Sequence, residues 1–137
     1  MACIGGGAIA ALLQSCGVSK TITGAISDSN LLVALSDFET KAGNEIHYKK
    51  YVIVTNDTLK FPICVYRHDA NQYNALWMQC THQGAELQVF GDKLQCPAHG
   101  SEFNNKGEVT NSPASQNLRS FPVIIENNQL KISLKAV

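Results

Sequence analysis

Two short clusters, Cys80-Thr81-His82-Gln83-Gly84 and Cys96-Pro97-Ala98-His99-Gly100-Ser101-Glu102-Phe103, constrain this chain more than anything else in it. Each holds one Cys and one His, and thirteen residues separate His82 from Cys96. Four soft or borderline ligands in two short clusters make a metal site. Thiolate and imidazole together select zinc or iron–sulfur over the oxygen-loving cations. Between the clusters, residues 86–90 alternate apolar Leu87 and Val89 with polar Glu86 and Gln88, and residues 93–95 carry apolar Leu94. Gly91-Asp92 lies between these runs and suits a tight hairpin turn with positive φ at the glycine. The hairpin folds the chain back, so Cys80/His82 and Cys96/His99 meet at its open end.

A binuclear iron centre held this way has one iron on two thiolates and the other on two imidazoles. The alternative is a structural zinc ion on all four side chains. Zinc sites more often pair Cys-x-x-Cys with cysteines or with two His on a helix, and nothing here has helical spacing.

These loops resemble the two cluster-binding loops of the Rieske [2Fe–2S] family, and Asn111-Ser112-Pro113-Ala114 resembles the Pro loop that covers the cluster there. The resemblance runs over residues 32–134, with its specific part at 80–114. It implies a [2Fe–2S] cofactor on Cys80, His82, Cys96 and His99, with Ser101 donating its hydroxyl to a bridging sulfide. Gln83 and the Pro113 loop would shield the cluster. Two departures bear on the potential. The family's high-potential members carry an extra Cys in each loop, joined as a disulfide, where this chain has Ala85 and Ala98. They also carry a Tyr hydroxyl where this chain has Phe103. Fewer donors and no disulfide imply a potential in the lower part of the Rieske range of roughly −150 to +300 mV. By the same resemblance the outer nitrogens of His82 and His99 are exposed and gain proton affinity on reduction, so the potential falls as pH rises.

At 137 residues the chain is one domain's length. Lys+Arg and Asp+Glu both number 11, so the net charge is zero and no electrostatic footprint for nucleic acid or anionic lipid emerges from composition. Short apolar or β-branched runs at 31–35, 51–55, 63–66, 73–79, 123–125 and 130–134 alternate with turn signals at Asn56-Asp57 and Asn127-Asn128. The expected fold is all-β, an antiparallel sandwich or small barrel with a cluster-binding subdomain at about 78–116. Cys64 reads as a buried strand residue and Trp77 as core, whereas His47 and His68 read as surface side chains.

Residues 1–16 are apolar, rich in small residues and uncharged, with the length of a signal h-region rather than a membrane span. Leu13-Gln14-Ser15-Cys16 resembles a bacterial lipobox, which makes Cys16 the expected lipidation site. A signal also needs a basic n-region, and no Lys or Arg precedes Lys20. The expectation is therefore a leader whose basic part lies upstream; the alternative is a glycine-rich apolar helix packed on the domain or on a partner. Residues 17–30, rich in Ser, Thr and Gly, read as a linker, with a first strand around 22–26 as the alternative. Residues 31–137 then form the Rieske-like domain.

Together these readings imply a one-electron carrier on the periplasmic side of the cell envelope, tethered through Cys16. Its redox partner would be a cytochrome or molybdoenzyme, and quinol is a candidate substrate. The alternative is a cytoplasmic Rieske ferredoxin feeding a ring-hydroxylating oxygenase. Length excludes the oxygenase itself, whose second iron needs two His and a carboxylate, since only His47 and His68 remain.

Overall fold

The structure, a computed structural model, describes residues 20–135. The signal-like segment 1–16, with Cys3 and the proposed lipidation site Cys16, lies outside the described residues. From Lys20 the chain runs through β1 (Thr21–Thr23), β2 (Ala25–Ser27) and β3 (Asn30–Ala34). A 3₁₀ turn (Leu35–Phe38) and the hairpin β4 (Glu39–Ala42) and β5 (Glu45–Tyr48) follow. Next come β6 (Tyr51–Thr55), β7 (Ile63–Asp69) and β8 (Gln72–Trp77), then β9 (Gln88–Phe90), β10 (Lys93–Gln95), β11 (Glu102–Asn104) and β12 (Val109–Asn111). The chain closes with β13 (Ser120–Phe121), β14 (Val123–Glu126) and β15 (Gln129–Ser133).

Three sheets organise these strands: β1-β6-β7-β8-β13, β14-β15-β3-β2 and β12-β11-β10-β9, with β4-β5 as a separate ribbon. The fold is all-β, as expected, and its sheets stay open rather than closing into a barrel. The expected hairpin turns are present, with Gly91 at φ 60° and with Asn127 and Asn128 at 53° and 62°. Asn tolerates the left-handed region better than most residues because its short amide bonds locally.

The central sheet is buried on both faces, and each face feeds a different core. Side chains alternate across a strand. Val52, Val54, Ile63, Val65 and Ala75 pack with Leu31, Phe38, Phe121, Leu130 and Ile132 in the base sandwich. Their neighbours Tyr51, Cys64, Tyr66 and Leu76 point the other way, into a core with Met78, Cys80, Leu94, Cys96 and Phe103. This is why Ile63-Cys64-Val65-Tyr66 is a continuous apolar run rather than an alternating one. Trp77 lies at the margin of the base core, half-buried and edge-on between Phe61 and Phe121. His47 is exposed beside Glu45, but His68 is half-buried, with Nε2 2.6 Å from Asn74 Oδ1.

The segment read as a linker differs. Its described part is β1, β2 and a turn at Asp28-Ser29, and both strands join sheets. β1 pairs parallel with β6, the exception among the otherwise antiparallel pairings of the described residues. Between them Gly24 crosses from one sheet to the other, bonding Thr55 O through its N–H at 2.9 Å and accepting from Asn56 Nδ2 at 2.8 Å. A Cβ there would sit 2.7 Å from Val54 Cγ1 and 2.8 Å from Leu31 Cδ1. The glycine that looked like linker composition is a close-packing site.

Candidate metal centre

The two expected ligand loops are one turn built twice. Cys80 N–H donates to Ala85 O (2.8 Å), and Gly84 N–H donates back to Cys80 O (2.9 Å). Cys96 N–H donates to Ser101 O (2.8 Å), and Gly100 N–H to Cys96 O (3.0 Å). Each turn needs a left-handed residue at its fifth position, which Gly84 (φ 78°) and Gly100 (φ 84°) supply. A residue with a Cβ there costs about 1–2 kcal/mol. The first loop is closed at its neck by the Gln79–Glu86 bridge, and Trp77 Nε1 donates to Gln79 Oε1 at 2.9 Å.

The same turn places Cys inside and His outside. Cys80 and Cys96 are each 2% exposed, whereas His82 and His99 are exposed. The two imidazole rings meet edge to face, with centroids 5.5 Å apart and planes at 84°. Two rings bound to a single ion through nitrogens at ~2.0–2.1 Å would have centroids about 5 Å apart, so the pair suits a shared ion. Among the described residues no three Cys, His, Asp or Glu side chains converge as the ligands of one metal ion. Two ligands within and two without fit a two-iron core better than a zinc ion gripped by all four. The backbone N–H of His82 also lies 3.4 Å from Cys80 Sγ, the contact a thiolate attracts.

The Pro loop is fastened to both turns. Asn111 Nδ2 donates to Gly100 O at 3.0 Å, Thr81 Oγ1 to Gln116 O at 2.7 Å, and Ala114 N–H to Ser101 Oγ at 2.9 Å. Ser101 is fully buried. That bond uses an oxygen lone pair, so its hydroxyl hydrogen is left to give to another acceptor, as a donor to sulfide requires. Phe103 is fully buried in the same core and has nothing to donate. Ala114 packs in the core that holds both thiols, at 4% exposure, whereas Gln83 is exposed. Thr81, Asn111 and Gln116 were not expected as contributors; Asn111 was visible only as a letter of the Pro-loop motif.

Cys64 is the third buried thiol among the described residues. Burial pushes it far above the usual thiol range, partly offset by the Tyr66 hydroxyl. Burial likewise raises Tyr66, which donates to Gly91 O at 2.8 Å. Neither group is ready to ionise, so Cys64 is packing rather than a ligand.

The family model of the Rieske [2Fe-2S] domain matches residues 39–122. The chain belongs to this family. A Rieske domain binds a [2Fe–2S] cluster, and the Cys/His geometry above suits one. The dicamba O-demethylase oxygenase component of Stenotrophomonas maltophilia is 37% identical over 76 residues, 48% of this chain and 22% of its own. The chain thus spans about a fifth of that relative. Among solved structures, the plasma-membrane Rieske protein PetC3 of Synechocystis PCC 6803 aligns with a TM-score of 0.54 and 26% identity, over 61% of this chain and 86% of its own. A chain from the complex of reduced oxygenase and oxidized ferredoxin in carbazole 1,9a-dioxygenase aligns at 0.57 and 27%, over 80% of this chain and 96% of its own.

Proposed function

We propose that the chain is a one-electron carrier in which Cys80 and Cys96 hold the inner iron and His82 and His99 the outer. One observation carries this: two buried thiols lie behind two exposed imidazoles in twinned turns. The bound [2Fe–2S] cluster supplies a one-electron couple. Cys80 and Cys96 sequester it from water, Ser101 stabilises its more negative reduced state by donating a hydrogen bond, and the exposed rings present its edge to a partner. Purified protein should contain about two irons and two acid-labile sulfides per chain and show a Rieske-type EPR signal on reduction. A colourless protein holding one zinc would overturn the assignment.

The carrier is exported and tethered at the periplasmic side through Cys16, as a partner of a respiratory oxidoreductase. The apolar, uncharged run before Cys16 supports this. Mass spectrometry of the N-terminal peptide tests it: a diacylglyceryl adduct on Cys16 is expected, and an unmodified thiol on a soluble product refutes it. The second reading is a cytoplasmic ferredoxin for a ring-hydroxylating oxygenase. Ala85, Ala98 and Phe103 favour it, as does the near-complete overlap with the chain from the carbazole dioxygenase complex. A low potential and turnover with an oxygenase component would decide for it.

A further inference from the structure

The chain enters the domain at the end opposite the two imidazoles. Thr21 pairs with Ile53 and Thr23 with Thr55, so the start of β1 points back toward Tyr51. Lys20 lies there, with Nζ 4.7 Å from the Tyr51 ring centre. Tyr51 pairs with Tyr66, whose hydroxyl reaches Gly91 O, and Lys50 Nζ reaches Asp92 at 3.1 Å. The entry point is therefore beside the Gly91-Asp92 turn. The ligand loops leave from the other end of that hairpin, where Gln88 pairs with Gln95. The central sheet agrees, since Ile63 pairs with Trp77 at the end that continues into Cys80. Gly91 and Cys96 are separated by roughly 17 Å of extended strand.

The entry end also carries exposed apolar surface. Phe90 is 51% exposed, and Ile46 and Tyr48, on one side of β5, are each 49% exposed. The Arg67 guanidinium lies 4.0 Å over the Tyr48 ring, one residue beyond Tyr66. Lys93 is the cross-strand partner of Phe90. Aromatic rings and long cationic stems side by side are the composition of a bilayer interface. Only four residues lie between Cys16 and β1, and Cys16 to Thr21 spans at most ~18 Å. A domain on so short a tether must rest on whatever holds Cys16.

We infer that this end is the membrane-facing end of the tethered chain. The lipid surface takes Phe90, Tyr48 and Ile46, and His82 and His99 point into the aqueous compartment toward a water-soluble electron partner. This rests on the tether reading above. It also places the redox edge on the wrong side for a quinol within the bilayer.

The test uses the full chain, purified in detergent and reconstituted into phosphatidylcholine vesicles with and without brominated lipid. Phe90→Trp and Gln83→Trp are compared against the shared Trp77 background. The chain should float with the vesicles. Brominated lipid should quench at least half of the added fluorescence in F90W and almost none in Q83W. Added cytochrome c should oxidise the reduced cluster within twofold of the rate in detergent. Quenching in Q83W instead of F90W, or a tenfold slower oxidation on vesicles, overturns the orientation while leaving the tether intact. A chain that stays in the supernatant with an unchanged EPR spectrum overturns both tether and orientation but not the electron carrier.

Discussion

Ser101 Oγ accepts the amide hydrogen of Ala114 at 2.9 Å, in a site closed to water. One hydroxyl thus joins the second ligand loop to the segment that covers it and still keeps its own hydrogen to give. Ser101→Ala removes both functions. The orphaned Ala114 N–H should cost about 1–3 kcal/mol, measured by thermal unfolding of the holoprotein. The lost donor should lower the reduction potential, measured by film voltammetry. An unshifted potential would remove Ser101 from the tuning of the cluster.

Phe103→Tyr should act in the opposite direction. The ring is fully buried in the core that holds both thiols, so an added hydroxyl would bond within that core, where the thiol sulfurs are among the acceptors. The potential should rise. Voltammetry showing no change would mean that the ring edge points away from the cluster.

Alkaline pH should weaken the fold. Burial raises both Cys64 and Tyr66 above their ordinary values. The unfolded chain therefore releases these protons first, and stability falls as pH rises past the ordinary thiol range. Denaturant midpoints from neutral to alkaline pH should decline, and Cys64→Val should flatten the decline. In the native protein at neutral pH, iodoacetamide should leave Cys64 unmodified.

Two glycines separate backbone strain from collision. At Gly100 an added Cβ meets nothing within 4 Å, but φ is 84°, so Gly100→Ala should lose about 1–2 kcal/mol through the turn alone. At Gly24 the backbone is unexceptional, but the Cβ collides with Val54 and Leu31. Gly24→Ala should cost about 1–3 kcal/mol by overpacking. Calorimetry on both variants, with iron content, should show cluster loss only at Gly100.

Removing residues 1–30 should lower the melting temperature well below that of a chain lacking only residues 1–19. A linker would make the two deletions equivalent. β1 and β2 predict otherwise, because Ile22 packs on the base core and β2 lies beside β3.

The centre was legible because chemistry leaves little choice of residue. Thiolate, imidazole and a left-handed glycine have few substitutes, so Cys80, His82, Gly84 and their counterparts declare themselves by type and spacing. The hairpin between them was equally plain, since Gly91 sits at φ 60° where a tight turn needs it. The first two strands were visible only as the alternative of a strand around 22–26, for the converse reason. Thr-Ile-Thr and Ala-Ile-Ser each carry one branched aliphatic residue; β1 is placed by backbone pairing with residues some thirty positions away, and β2 by a short hairpin with β3. The fastenings at Thr81 and Asn111 were also invisible, because a hydroxyl or amide names no partner until the loops are side by side.

The three fastenings of the Pro loop carry a consequence for biogenesis. With Asn111, Ala114 and Gln116 all engaged, the sulfur atoms of Cys80 and Cys96 sit behind a shut door. A cluster loaded into the folded domain would have to part those three bonds, whereas one built earlier would be shut in as they form.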